Sequence, residues 1–229
     1  MQDLETDAVR VHALLRAGGL ALAATDTGYG FIAMRTAAVR RIYELKGRSS
    51  EKPCVTVGSL PILDDVAEGI TPYVRSWIEA ATARWPIAVI ARSNPRSRLL
   101  PRMEPFVTEQ SQKTGTIATF YGVGPLIQRI AALAYAEGEL VVGSSANLSG
   151  TGNNYRIDEV PEAIRGAVDL VVEGTPRFQS PERLASTIID LIGGRFHRKG
   201  VHHAEVEASW NEHMRDRPLA SCLDAHHAS

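Results

Sequence analysis

The stretch "LALAATDTGYGF", residues 20–31, decides how the rest of the chain is read. Its first five residues form a short apolar run of the size of a buried strand. The run then gives way to Thr25, Asp26, Thr27, Gly28, Tyr29 and Gly30. In an open α/β sheet, ligands sit beyond the carboxyl ends of strands. Gly28 and Gly30 would let the backbone turn and approach such a ligand, and Tyr29 would wall its pocket. An ordinary turn, held by an Asx-type hydrogen bond from Asp26, fits the same residues. The stretch alone leaves both readings open.

Further along the chain, apolar runs alternate with amphipathic ones. "LALAA", "PCVTV", "IAVIA", "TIATF", "LVVGS", "VDLVV" and "STIIDL" read as short buried strands bounded by Gly, Pro or Ser. Residues 36–46 read as a helix with Thr36 as its cap and Val39, Ile42 and Tyr43 on one face. Residues 125–136 open on Pro125, a favoured first helical residue. Residues 71–84 and 158–166 carry weaker helical patterns. The alternation predicts an α/β sheet covered by helices. The polar, proline-containing segment 92–115 reads as a mobile loop. Residues 1–201 are expected to form the domain. Residues 202–229, polar and rich in His and Ala, are expected to form a helical or partly ordered tail, and solvated histidines are the favoured reading of its His202–His203 and His226–His227 pairs.

Composition narrows the class. The chain has 229 residues, 44% hydrophobic and 22% charged, which suits one soluble α/β domain. A formal net charge of −1 and a pI near 6.7 argue against whole-molecule attraction to nucleic acid or membrane, leaving room for a local basic cleft. Cys54 and Cys222 are too few for a zinc or disulfide framework. The acidic amino terminus lacks a secretory pattern and no run reaches membrane-spanning length, so a cytoplasmic protein is expected.

Three further clusters offer chemistry. In "KGRSSEKP", residues 46–53, Lys46, Arg48 and Lys52 crowd one short connection. Bases at a helix carboxyl end complement its dipole, but Lys52 lies past that helix, and three cations together suit a polyanion such as a triphosphate. No Walker sequence is present. "GSSANLSG", residues 143–150, places Ser144, Ser145, Asn147 and Ser149 just after a strand, as a hydrogen-bonding loop or a polar turn. "STIIDL" followed by "RFHRKG" closes the sheet, with Arg198 either facing the same cleft or solvated at the edge. No metal-ligand spacing and no nucleophile elbow appears.

Taken in order, "TDTGYG", "KGRSSEKP", "SSANLSG", "ASTIIDL" and "RKG" resemble the motif series of the YrdC-like family, which includes the threonylcarbamoyl-adenylate synthases of tRNA modification. The resemblance spans roughly residues 8–201. It implies a twisted, open sheet of mixed parallel and antiparallel strands, with flanking helices and a deep basic cavity. The implied reaction joins L-threonine, bicarbonate and ATP into threonylcarbamoyl-AMP and pyrophosphate. By resemblance, Lys46, Arg48 and Lys52 hold phosphates, with Mg²⁺ sharing their charge and no dedicated protein metal site. Ser145 and Asn147 bind nucleotide phosphate and, with Lys46 and Arg48, make up the catalytic set. Thr25, Thr27 and Tyr29 line the amino-acid side, and Ser186 and Arg198 complete the nucleotide site. The family also carries a double-stranded-RNA-binding description, so duplex RNA or tRNA is an implied partner.

Three departures qualify this. Ala24 stands where the family has a proline. "WPIAVI", residues 85–90, has Ile90 in place of a threonine. Phe120 stands where an arginine is expected, and Gly122 where a proline is. An aromatic ring cannot replace a guanidinium's hydrogen bonds to an anion. An altered acceptor is therefore open, with Phe120 in the substrate pocket. Two other readings stay beside the synthase: a non-catalytic RNA-binding or regulatory paralogue, and a carbamoyl transferase acting on carbamoyl phosphate.

Overall fold

The structure is a computed structural model and describes residues 4–47, 52–148 and 150–216. The opening stretch is a β-hairpin. Strand β1 (Ala21–Thr25) pairs antiparallel with β2 (Gly28–Ala33), Thr25 facing Gly28, so Asp26 and Thr27 form a two-residue tip. β2 escaped the sequence reading because "GYGFIA" has neither an alternating nor a continuous apolar pattern, yet all six residues are buried. The turn is not fixed by Asp26. The Thr25 hydroxyl donates to the Gly28 carbonyl at 2.6 Å and accepts from the Thr27 N–H at 3.2 Å. Gly28 has φ 140°, and a Cβ there would stand 2.9 Å from the Cβ of Asn153, so no larger residue fits.

The remaining strands are β3 (Val55–Val57), β4 (Ala67–Glu68), β5 (Ile87–Ser93), β6 (Thr116–Phe120), β7 (Val142–Ser145), β8 (Leu170–Val172), β9 (Thr187–Asp190) and β10 (Arg195–Arg198). One sheet runs β10-β9-β5-β6-β3-β7-β2-β1-β8, with β4 on β5. β1–β8, β3–β6 and β5–β9 are parallel; the other neighbours are antiparallel. The mixed open sheet with flanking helices is the expected one.

The helices are α1 (Leu4–Arg16), α2 (Thr36–Lys46), α3 (Leu60–Val66), α4 (Pro72–Thr82), α5 (Pro105–Ser111), α6 (Pro125–Ala136), α7 (Glu162–Arg165) and α8 (His203–His213). α2 starts one residue earlier than a Thr36 cap allows: Arg35 is the cap, and the Thr36 N–H donates to Glu104 at 2.6 Å. α1 and α6 bury Val11, Leu15, Ile127 and Ile130 over β1, and α2 buries Val39 and Ile42 in a second cluster with Leu22 and Phe31.

Segment 92–115 is not a loop. It holds a 3-10 turn (Leu100–Arg102) and α5, and buries Leu99, Leu100 and Val107. Its polarity misled because the polar groups are internally paired. Asp65, nearly buried at the end of α3, accepts from the Ser97 hydroxyl and from the backbone N–H groups of Arg98 and Leu99. Beyond β10, α8 packs on α4 through Val206 and Trp210, with the Trp210 and Trp77 rings edge to face at 4.7 Å. The part of the expected tail beyond residue 216, with Cys222, His226 and His227, lies outside the described residues.

Candidate functional site

A cavity of about 160 Å³ opens between the β1–β2 hairpin, the end of β7, β6 and β10. Thr25, Thr27, Tyr29, Ser145, Phe120 and Arg198, six residues singled out in the sequence, all line it. Strand pairing explains why. β2 faces β7 with Gly30 opposite Ser145, which brings "TDTGYG" against "SSANLSG". β6 and β3 then carry Phe120 beside Val57 into the same space.

The hairpin side is already ordered by internal bonds. The Tyr29 hydroxyl donates to the Gly174 carbonyl at 3.1 Å and accepts from the Gly174 N–H at 3.2 Å. Burial pushes that phenol above its ordinary pKa, so it is a neutral wall. The Thr27 carbonyl accepts from the Asn153 side chain at 2.7 Å. Asn153 is a cavity residue the sequence reading missed; its only signal was a second amide-rich turn, "GNNY", shortly after "SSANLSG". At the hairpin tip, burial raises the Asp26 carboxyl above its ordinary range, partly offset by Arg177.

Arg198 is the one charged side chain among the described lining residues. Its guanidinium donates to the Ser186 carbonyl at 3.0 and 2.8 Å and lies 5.7 Å from the centre of the Phe120 ring. Among the described residues no carboxylate stands within ion-pair distance of it. Burial pushes its pKa down to about 10, which still leaves it cationic at neutral pH. A half-buried cation facing a cavity without a counter-carboxylate is suited to an anionic ligand.

Lys46, the last residue of α2, is nearly buried and reaches the loop after β7. Its ammonium donates to the carbonyls of Ser145 and Asn147, the latter at 2.9 Å, and lies 3.4 Å from the Ser145 hydroxyl. The Asn147 side-chain N–H donates to the Leu148 carbonyl, while its buried Oδ1 has no partner among the described residues. Lys52 is exposed, just before the lining residue Pro53, and its carbonyl accepts from Tyr43 at 2.8 Å. Ser186 is buried behind Arg198, outside the lining. Arg48 and Ser149 lie outside the described residues.

The departures have structural counterparts. Gly122 has φ 61°, which proline cannot adopt, and a Cβ there would come within 3.0 Å of the Trp85 carbonyl. Ile90 sits in β5 opposite Ala118 and Asp190, away from the cavity. Phe120 keeps its place on the cavity wall.

A mixed open sheet, with a hairpin and a strand-end loop closing on one half-buried arginine, defines an α/β protein with a cationic cavity. The chain belongs to the Sua5/YciO/YrdC family, whose model, described as "Telomere recombination", matches residues 13–200. It is 30% identical over 198 residues to a threonylcarbamoyl-AMP synthase of Homo sapiens, covering 83% of this chain and 66% of that protein. The corresponding Bacillus subtilis protein is 26% identical, covering 86% of this chain and 54% of its own length. The chain thus spans about two thirds or less of the curated relatives it matches. Among solved structures, P. abyssi Sua5 complexed with L-threonine superposes with a TM-score of 0.70 at 21% identity, over 90% of this chain and 58% of that one. A hypothetical protein of Streptococcus mutans, smu.1377c, superposes at 0.76 with 19% identity, over 88% and 90%.

Proposed function

We propose that the chain is a carbamoyl-adenylate synthase of the threonylcarbamoyl-AMP type, a nucleotidyltransferase that joins an amino acid, bicarbonate and ATP. The observation that carries the reading is the convergence of Thr25, Thr27, Tyr29, Ser145 and Arg198 on one cavity, with Lys46 bonded to its rim. The names of the human and Bacillus relatives, and the L-threonine bound to the P. abyssi protein, point the same way.

The chemistry asks little acid–base work of the protein. The amino group adds to bicarbonate and expels water, giving a carbamate. A carbamate oxygen attacks the α-phosphorus of ATP and pyrophosphate leaves. Such a step rests on positioning and charge neutralisation. Arg198 would meet an anionic oxygen, and the Ser145–Asn147 loop, pinned by Lys46, would donate to phosphate. Lys52, next to the lining residue Pro53, would supply further charge, as would Arg48 by the family resemblance. No carboxylate lines the cavity among the described residues, so the donor set does not suit a protein-held divalent ion. Mg²⁺ would arrive on the phosphate oxygens of ATP.

The test is pyrophosphate release from ATP with bicarbonate and each amino acid in turn. Release that requires both bicarbonate and one amino acid supports the reading. ATP binding without release for any amino acid would transfer the cavity to a non-catalytic role.

A further inference from the structure

The face of the molecule formed by α1 and the end of α6 carries a group of side chains that the cavity does not use. His12 lies on α1, and Glu137 and Glu139 lie on either side of Gly138, where α6 ends. One ring nitrogen of His12 and one carboxylate oxygen from each glutamate lie within 4.8 Å of one another. We propose that His12, Glu137 and Glu139 bind a divalent transition-metal ion of the zinc class, joining α1 to the end of α6.

Three observations carry this. First, His12 is only 6% exposed, and its buried Nε2 has no hydrogen-bond partner among the described residues, nor has the buried Oε2 of Glu139. Buried polar atoms without partners are costly, and both residues belong to the one cluster. Second, the imidazole nitrogen and the two carboxylate oxygens together make a mixed nitrogen and oxygen donor set of the kind that zinc takes. Third, two carboxylates sit at the carboxyl end of α6, where the helix dipole disfavours anions and favours cations.

The cations now present fill that role only in part. Arg16 pairs with Glu137 at 2.8 Å and stands 3.7 Å from Glu139 Oε2, while Arg35 pairs with Glu139 Oε1 at 2.7 Å. Arg16 and Glu137 are half-exposed and free to part, whereas Arg35 and Glu139 are more enclosed. Metal entry would displace Arg16 and leave Arg35 on Glu139. One nitrogen and two oxygens at bond lengths of about 2.0–2.2 Å need the three groups to draw together, a shift within reach of the Glu137 side chain. An imidazole in the set selects against Mg²⁺ and Ca²⁺, which take oxygen ligands. No local motif marks this cluster, because His12 is far from both glutamates in the chain.

The test is zinc titration of the full-length protein by calorimetry, with millimolar Mg²⁺ present, comparing wild type with Glu137→Gln and Arg16→Met. Residues elsewhere that take up zinc contribute equally to all three, so the differences isolate the site. Glu137→Gln should weaken one equivalent of zinc by about 10–100-fold, as loss of a metal-site group does. Arg16→Met should tighten the same equivalent by removing its competitor, and zinc should raise the wild-type melting temperature. Glu137→Gln binding zinc like wild type, or Arg16→Met binding it more weakly, would overturn the proposal.

Discussion

Phe120→Arg returns to the cavity the cation that the family resemblance expects. The Arg198 guanidinium lies 5.7 Å from the centre of the Phe120 ring. A second guanidinium at that distance repels it by about 3 kcal/mol at an effective dielectric constant near 20. For a chain of this length that corresponds to a fall in Tm of about 6–12 °C. An anion between the two arginines reverses the sign, since each cation then gains a counter-charge. Melting without ligand, with ATP, and with L-threonine should therefore show a destabilised free variant and a larger ligand-induced rise than in wild type. Threonine-dependent pyrophosphate release should increase in parallel. A variant that melts like wild type and gains nothing from either ligand would mean that position 120 does not share the field of Arg198, and the altered-pocket argument would fail.

Other substitutions probe separate links. Lys46→Ala removes the bonds that pin the Ser145 and Asn147 carbonyls, and should cost the fold about 1.5–3 kcal/mol per lost charge-assisted bond in urea unfolding and weaken ATP binding, read by calorimetry on folded protein. Burial of Asp65 works to raise its carboxyl pKa, but the bonds from Ser97, Leu99 and Arg98 outweigh it and hold the group below its ordinary value. A depressed carboxylate stabilises above its unfolded pKa of about 3.9 and loses that contribution as pH falls through the folded value. Asp65→Asn should therefore lower Tm at pH 7 and flatten the acid limb of the Tm–pH curve; an unchanged limb would refute this. Trp210→Ala empties the α4–α8 contact and should cost about 3–5 kcal/mol in urea unfolding, whereas a solvated tail helix would show no change.

Much of the fold was legible because its strands are short apolar runs between glycines and prolines, as in "TIATF", which became β6 with unchanged ends. Pro125 fixed the start of α6 for the same local reason. β2 was illegible because its burial comes from neighbours on both sides, not from its own apolar pattern. Segment 92–115 hid its order because the partner of its polar groups, Asp65, lies some thirty residues earlier. The motifs located Thr25, Thr27, Tyr29, Ser145, Phe120 and Arg198 on one cavity, but not how they are held. That Thr25 spends its hydroxyl on its own turn, and that Arg198 rests on the Ser186 carbonyl, are tertiary facts with no local signature.

The cavity draws its walls from stretches far apart in the chain, which has a kinetic consequence. The β1–β2 hairpin closes locally, across two residues. Beside it, β1 pairs with β8, where the Leu20 N–H reaches Asp169 across 149 positions, and Arg198 arrives only when β9 has found β5. Pairings of such long sequence separation carry the largest loop-closure entropy and form slowly. The hairpin wall therefore folds early and the arginine wall late. In a refolding experiment, nucleotide affinity should appear with the slowest phase, after most secondary structure has returned. A chain still emerging from the ribosome would hold half a binding site, and would gain the other half only once residues 187–198 had docked.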